Sequence, residues 1–286
     1  MRVIANANFK GGTAKTTTCC NLAAMLARDG RRVLVIDADA QHNTTDFFLA
    51  DADGFTLTDV LEGNGEMVAA DNIVRADRYD VDLLPADMGL LRLDLRAIME
   101  QANAPLRRMD DFIDALRADG EYEFVLFDCP PQFTAASVAA LLNSDEVILP
   151  TKVDSFSRAG VLELADQLGR VGLRLLRPMP RVRVLVTMAD KTNLSRQGEA
   201  LLRSSGFEVF RTVIRAGVAV GESSYARQPL YEYAPKSKPA QDYEALLAEI
   251  LGEDMRAAEG EQSGIASDAG RRGVGPYGAK TERRCE

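Results

Sequence analysis

The stretch FKGGTAKTTT, residues 9–18, places glycines, a lysine and hydroxyl side chains in an order that suits phosphate binding. Lys15 and Thr16 match the end of the phosphate-loop pattern G-x-x-x-x-G-K-[ST]. Gly11 and Gly12 allow the backbone to approach phosphates without a Cβ in the way, and the N-terminus of a following helix offers unpaired N–H groups. In this interpretation Lys15 reaches the β and γ phosphates of a nucleotide and Thr16 binds Mg²⁺.

Two positions of this loop depart from the pattern. Phe9 stands where the first glycine belongs and Ala14 where the last one does. A negative φ at Ala14 would cost little, whereas a positive φ would strain the loop and weaken nucleotide binding or hydrolysis. We therefore expect retained binding with slow turnover. The alternative is a glycine-rich turn with a solvated lysine, which two further loops make less attractive.

Those two loops carry carboxylates. Asp128 ends the apolar run FVLFD, where it can orient a Mg²⁺-bound water. Asp37 and Asp39 end the run VLVIDAD, so one can support the water shell of the metal while the other faces the attacking water. The alternative for each aspartate is a helix N-cap or a turn residue.

The elements that must position these loops alternate along the chain. Short apolar runs predict strands, and longer segments between them predict helices at Lys15–Arg28, stopped by Gly30, and at 159–176. This alternation predicts an α/β fold, a doubly wound and mostly parallel sheet with helices on both faces and ligands beyond the carboxyl ends of the strands. The predicted strands are Val3–Ala7, Arg32–Asp37, Val81–Leu84, Phe124–Asp128, Glu146–Pro150, Val182–Met188 and Glu208–Ile214.

Composition sets the class of protein. The chain has 286 residues, 46% hydrophobic content and a net charge of −9, which disfavours a broad basic surface. No apolar run reaches membrane-spanning length, no signal-peptide pattern is visible, and four cysteines with one histidine form no metal-ligand spacing. We expect a cytoplasmic protein with one ATPase domain over residues 1–251 and a disordered tail over 252–286.

The three loop sequences together resemble those of a known family. FKGGTAKTTT, VLVIDADAQHN and FVLFDCPP are similar to the ParA-type partition ATPases of the deviant Walker A group, which also includes MinD. The similarity continues through VILPTKVDSFSRAG and YAPKSKPAQDYEALLAEI, so it covers nearly all of residues 1–251, in a form without an N-terminal helix-turn-helix. The resemblance implies a P-loop NTPase fold with ATP and Mg²⁺ as cofactors.

The resemblance also assigns roles to residues. Members of the group lack the first glycine and carry an extra lysine, here Lys10, that crosses a nucleotide-sandwich homodimer to the phosphates of the partner. Asp39 matches the aspartate that positions the hydrolytic water, Asp37 a supporter of the metal shell and Asp128 the Walker B residue. The implied catalytic residues are Lys10, Lys15 and Asp39, the metal residues are Thr16, Asp37 and Asp128, and the nucleotide-binding residues are Lys10, Gly11, Gly12, Thr13, Ala14, Lys15, Thr16 and Thr17.

The implied partners are DNA and a ParB-like centromere-binding protein. Of two arginine positions used for nonspecific DNA binding in the family, one is Lys191 here and the other is Ala219, while Arg215 replaces a proline nearby. DNA binding through Lys191 and Arg215 is therefore expected to be weakened, and association with the nucleoid depends on it. Five further basic residues could compensate or could simply be a solvated face: Arg203, Arg211, Arg227, Lys236 and Lys238.

Two other classes of protein share this loop chemistry. The C-terminal GAKTERRCE has no apolar face, so MinD-like membrane binding is not expected. A non-hydrolysing, nucleotide-gated scaffold that positions a protein cargo is the alternative to a partition ATPase, and Ala14 and Ala219 are the residues that favour it.

Overall fold

The fold is described by a computed structural model that covers residues 1–49, 54–64, 73–76, 78–100, 104–153, 161–163, 166–167, 169–170, 172–173 and 177–252. Met1–Leu247 form one compact unit, and a second unit begins at Ala248. From residue 253 onward, the predicted disordered tail lies outside the described residues. Much of the predicted helix at 159–176 also lies outside them.

A single eight-stranded sheet organises the first unit. Its spatial order is β3-β4-β2-β5-β1-β6-β7-β8, and every pairing is parallel except that of β3 with β4. The strands are β1 Arg2–Asn6, β2 Val33–Asp37, β3 Val74–Ala76, β4 Val81–Leu84, β5 Phe124–Asp128, β6 Glu146–Lys152, β7 Arg181–Ala189 and β8 Glu208–Arg215.

Helices follow most strands. They are α1 Lys15–Arg28, α2 Asn43–Phe48, α3 Leu57–Glu62, α4 Gly89–Glu100, α5 Ala104–Asp119, α6 Ala135–Leu142, α7 Asn193–Ser204, α8 Val218–Tyr225 and α9 Leu230–Tyr233. Residues 238–247 are also helical, as are residues 248–252 of the second unit. None of the helices described here is both long and apolar enough to cross a membrane.

The central strands are hydrophobic throughout because both faces of the sheet are covered. Every residue of β2 (VLVID) and of β5 (FVLFD) is buried, as expected for a doubly wound parallel sheet. Burial therefore extends to the aspartate that ends each strand. The chain leaves both strands at the same sheet edge, where the loop after β1 also lies.

The predicted fold class is confirmed, with one addition. All seven predicted strands are present within two residues of their predicted ends, and α1 begins and ends where predicted, with Gly30 at φ 81 just beyond it. The sequence analysis missed β3, a three-residue antiparallel edge strand in which Arg75 pairs with Asp82 of β4. Three residues are too few to show a period of two.

Candidate functional site

The loop between β1 and α1 is held by hydrogen bonds to its own residues and to β7. Asn8 Oδ1 accepts from the Lys10 N–H at 3.0 Å, and the buried Thr13 hydroxyl lies 3.3 Å from the Lys10 carbonyl. Thr187 Oγ1 donates to the Thr13 carbonyl at 3.0 Å. A Cβ added at Gly11 or Gly12 would meet no described atom within 4 Å. The loop is thus held on its β7 side and open at Gly11 and Gly12, which suits a bound phosphate.

Ala14 is the last residue before α1 and has a left-handed backbone, with φ 73° and ψ 31°. Its carbonyl accepts the Thr18 N–H at 2.9 Å, the first hydrogen bond of the helix. A left-handed conformation costs an L-residue with a Cβ roughly 1–2 kcal/mol relative to glycine. The harmless case considered from the sequence, a negative φ, is therefore excluded, and the strain is present.

Phe9 fills the place of the missing first glycine. Its half-buried ring packs edge-on against Phe133 with 4.4 Å between ring centroids and contributes to the hydrophobic core. This position anchors the loop to the protein interior, so a glycine is not required for the loop to form.

The two loop lysines differ in exposure. Lys15 is 8% exposed, and its ammonium donates to the Lys10 carbonyl at 3.3 Å. Burial lowers the pKa of Lys15, and the nearby charges of Asp128 and Asp39 partly oppose that change. Lys10 is exposed on the surface of the loop. Lys15 is therefore placed within the site, and Lys10 is placed where a second molecule can meet it.

Asp128 is buried at the end of β5. Its Oδ2 accepts from both the Thr16 and the Thr44 hydroxyls at 2.7 Å. Its Oδ1 is buried and accepts no hydrogen bond from any residue that the structure describes. Burial raises the pKa of Asp128 to about 6, although the two threonine hydrogen bonds and the Lys15 charge favour the ionised form.

Asp37 lies beside Asp128 in the sheet, because the two residues are register partners in β2 and β5. Its Oδ2 accepts from the Thr45 N–H and the Thr45 hydroxyl, both at 2.8 Å, and its Oδ1 accepts from the Asp39 N–H at 3.1 Å. Burial, followed by the charge of Asp128, raises the pKa of Asp37 to about 8. The bond from the Asp39 N–H, two residues on, makes Asp37 partly a turn residue, which is the alternative role expected from its position.

Asp39 is half-buried in the loop after β2. Its Oδ1 accepts from the Gln41 N–H at 3.0 Å, which is the turn-residue arrangement offered as the alternative. Its charge nevertheless acts on both Lys15 and Asp128. Asp39 therefore lies near the other two loops while it shapes its own.

The donor set fits Mg²⁺ bound together with phosphates. Mg²⁺ is usually held by one or two carboxylates with water and phosphate oxygens, not by an all-protein cage. The described part of the chain has no cluster of three or more His, Cys, Asp or Glu side chains arranged for a metal. Asp128 accepts from the Thr16 hydroxyl through Oδ2, and its Oδ1, without a partner among the described residues, is an oxygen of the kind that such an ion or its water needs.

Sequence reasoning missed three polar residues at this edge. Thr44 and Thr45 supply hydroxyls to the two buried carboxylates. Asn6 is the register partner of Asp128 in β1, and its buried Oδ1 also accepts no hydrogen bond within the described ranges. Only their positions in the sequence could have indicated these residues, because Asn6 ends a strand and the threonines follow DADAQHN. No motif marks them.

A cavity of about 470 Å³ opens beside the loop, between α1, α2 and α8. This volume is in the range of small-molecule pockets. Its lining includes Thr16, Thr17, Asn21, Asn43, Phe47 and Tyr225.

The two residues predicted to bind DNA lie in different settings. Lys191 is exposed just before α7. Arg215, at the end of β8, is bound to Asp242 through Nε to Oδ2 at 2.8 Å and Nη2 to Oδ1 at 2.5 Å. Its charge is therefore compensated within the protein, which makes Lys191 the better candidate of the two.

Comparison with known proteins places these features in a family. An AAA domain family model matches residues 1–178. The chain is 34% identical to the chromosome partitioning protein ParA of Caulobacter vibrioides over 258 residues, 89% of this chain and 95% of that protein. It is 35% identical to the chromosome-partitioning ATPase Soj of Thermus thermophilus over 262 residues, 90% of this chain and 98% of that protein. The structure of the septum site-determining protein MinD from Pyrococcus horikoshii with Mg-ADP superposes with a TM-score of 0.70 at 25% identity, covering 87% of this chain and 95% of that one.

Proposed function

Because the chain belongs to the ParA family of partition ATPases, we propose that it hydrolyses Mg²⁺-bound ATP slowly, dimerises around that nucleotide and partitions or positions DNA in the cytoplasm. The observation that carries the proposal is the meeting of three loops at one sheet edge. Thr16 from the first loop donates to Asp128 from the third at 2.7 Å, and Asp37 from the second is the register partner of Asp128.

Nucleotide binding follows from the first loop. The open backbone at Gly11 and Gly12, together with the N-terminus of α1, binds the phosphate chain through N–H groups. The Lys15 ammonium leaves the Lys10 carbonyl and binds the β and γ phosphates. Because the ammonium is buried, the low local dielectric strengthens its attraction to the phosphate charges. Thr13, Ala14 and Thr17 complete the contact set. ATP is favoured because the family and its relatives use adenine nucleotides.

The carboxylates serve hydrolysis. Thr16 and Asp128 would hold Mg²⁺ and its water, with Asp37 supporting that shell; the ion neutralises charge on the phosphates. Asp39 orients the water that attacks the γ phosphate. Lys10 of a second copy reaches the same phosphates, so ATP binding and dimerisation are coupled.

DNA and a partner protein complete the proposed cycle. Lys191 contacts DNA phosphates without regard to sequence, with little contribution from the compensated Arg215. A ParB-like centromere-binding protein is the partner that stimulates hydrolysis. Nucleoid association follows from the DNA contact.

One observation favours a second candidate, the nucleotide-gated scaffold. The strained backbone of Ala14, φ 73°, lies directly before the catalytic Lys15 and penalises the loop geometry that hydrolysis needs. A protein that binds ATP without useful turnover could still switch between two states and position a protein cargo.

DNA binding separates the two candidates. The partition proposal predicts that the protein with ATP and Mg²⁺, but not with ADP, retains a DNA fragment of arbitrary sequence, and that Lys191→Ala weakens this retention. Raising salt from 50 to 200 mM should also weaken it steeply, since phosphate contacts release counterions. ATP-dependent binding of a protein cargo with no DNA retention would favour the scaffold.

A further inference from the structure

The first turn of helix α2 carries two consecutive threonines that bind different carboxylates. Thr44 and Thr45 are 0% and 2% exposed. The Thr44 hydroxyl donates to Asp128 Oδ2 at 2.7 Å, and the Thr45 hydroxyl donates to Asp37 Oδ2 at 2.8 Å. One turn of a six-residue helix is thus bonded to the ends of both β5 and β2.

The single proton of the Thr45 hydroxyl is committed to Asp37. A hydroxyl has one donor, and Thr45 Oγ1 already accepts from the Ala86 N–H at 3.1 Å. Its proton therefore points to the carboxylate.

Thr44 is in a similar position. Its Oγ1 lies 3.6 Å from Cys20 Sγ, so with its own proton used on Asp128 it can accept from the thiol. Each hydroxyl is oriented by a second group, which is typical of residues that set the geometry of a ligand.

The consequence for Asp128 is a fixed orientation. Thr16 and Thr44 both donate to Oδ2, which leaves Oδ1 as the oxygen with no donor among the described residues. Thr16 comes from the phosphate loop, whereas Thr44 comes from the helix after the second loop. Thr44 therefore holds the carboxylate from an element outside the phosphate loop.

We propose that Thr44 and Thr45 are positioning residues that aim Asp128 and Asp37 at the Mg²⁺ of the nucleotide. The inference rests on the proposed function, since it assigns a role toward the metal of that site. Thr44 gives the sharper test because it binds Asp128 through its hydroxyl, which a substitution removes. Thr45 also donates its backbone N–H to Asp37, and a substitution would keep that bond.

The test measures the affinity of a fluorescent ATP analogue with a series of Mg²⁺ concentrations and with EDTA. Thr44→Val keeps the shape and removes the donor, so the Mg²⁺ concentration for half-maximal enhancement of binding should rise about tenfold, the usual scale for loss of such a contact. Affinity in EDTA should be unchanged, and Thr44→Ser should restore the wild-type Mg²⁺ dependence. Thr18→Val is the matched control, because the buried Thr18 hydroxyl bonds Tyr243 at 3.1 Å and not a carboxylate.

The outcomes are distinct. A wild-type Mg²⁺ dependence in Thr44→Val, or an equal loss of affinity with Mg²⁺ and with EDTA, overturns the inference and leaves the proposed function intact. Nucleotide binding by the wild-type protein that does not respond to Mg²⁺ contradicts the proposed function itself, and the inference with it.

Discussion

At the scale of single residues, the phosphate loop contains two positions of positive φ, separated by one residue, that differ in their side chains. Gly12 has φ 68° and Ala14 has φ 73°. Glycine takes this conformation freely, whereas alanine is strained in it. Ala14→Gly and Gly12→Ala therefore test the cost of a Cβ at positive φ, one by removing it and the other by adding it.

Ala14→Gly is expected to stabilise the protein by about 1 kcal/mol, because it removes the left-handed strain. ATP affinity and turnover should rise as well, since the loop reaches its binding geometry without that cost. Urea unfolding and steady-state hydrolysis measure the two effects.

The reverse substitution is the matched control. Gly12→Ala adds a Cβ that meets no described atom, so its cost is conformational, about 1 kcal/mol of stability. A loss of stability in Ala14→Gly, or unchanged hydrolysis, would show that Ala14 does not limit this site.

The carboxylate pair predicts how stability depends on pH. Burial raises the pKa of Asp37 to about 8 and that of Asp128 to about 6, from 3.8 in each case. Between about pH 4 and 8 these two carboxyl groups therefore bind more protons in the folded protein than in the unfolded chain, so their contribution to stability falls as pH rises. Thermal melts of the nucleotide-free protein should show this fall.

Two changes should flatten that pH profile. Asp128→Asn removes one charge of the pair, and Mg²⁺ with ATP favours the ionised carboxylates. Equal slopes for the wild type and Asp128→Asn between pH 5 and 8 would argue against a coupled buried pair.

At the scale of elements, the end of β8 is tied to the helical residues 238–247 by the two-pronged contact of Arg215 with Asp242. Arg215→Ala should therefore lower the melting temperature. Lys191→Ala, at an exposed position before α7, should weaken DNA retention without changing the melting temperature. If Arg215→Ala reduces DNA retention more than Lys191→Ala does and melts normally, Arg215 is a DNA contact and not a structural clamp.

The elements were largely predictable, and the fine positioning of the site was not. Continuous apolar runs such as FVLFD predict buried strands from the local sequence alone. Gly30 in the same way predicts the end of α1. Strand ends also predicted that Asp37 and Asp128 lie at the ligand-binding edge of the sheet. The bonds of Thr44 and Thr45 arise from how α2 packs over two strands, and the φ of Ala14 is set by the surrounding loop. Neither is encoded in a local pattern.

At the scale of the whole molecule, the proposed contact of Lys10 with the phosphates of a second copy predicts a dimer that depends on ATP. Light scattering should find the wild-type protein dimeric with ATP and Mg²⁺ and monomeric with ADP. Lys10→Ala should stay monomeric with ATP while it retains the nucleotide. Lys236→Ala, an exposed lysine far along the chain from the loop, should behave as the wild type. An ATP-dependent dimer of Lys10→Ala would remove Lys10 from the coupling.

ATP hydrolysis at this site is tested most directly by the steady-state rate with Mg²⁺ for the wild type beside Asp39→Ala. We expect a slow rate in the wild type that is lost in Asp39→Ala while ATP affinity is kept, because the role proposed for Asp39 is to orient the attacking water and not to bind the phosphates. A wild type that binds ATP tightly and never hydrolyses it, or a rate that survives in Asp39→Ala, would contradict the assignment of this site as a partition-type ATPase centre.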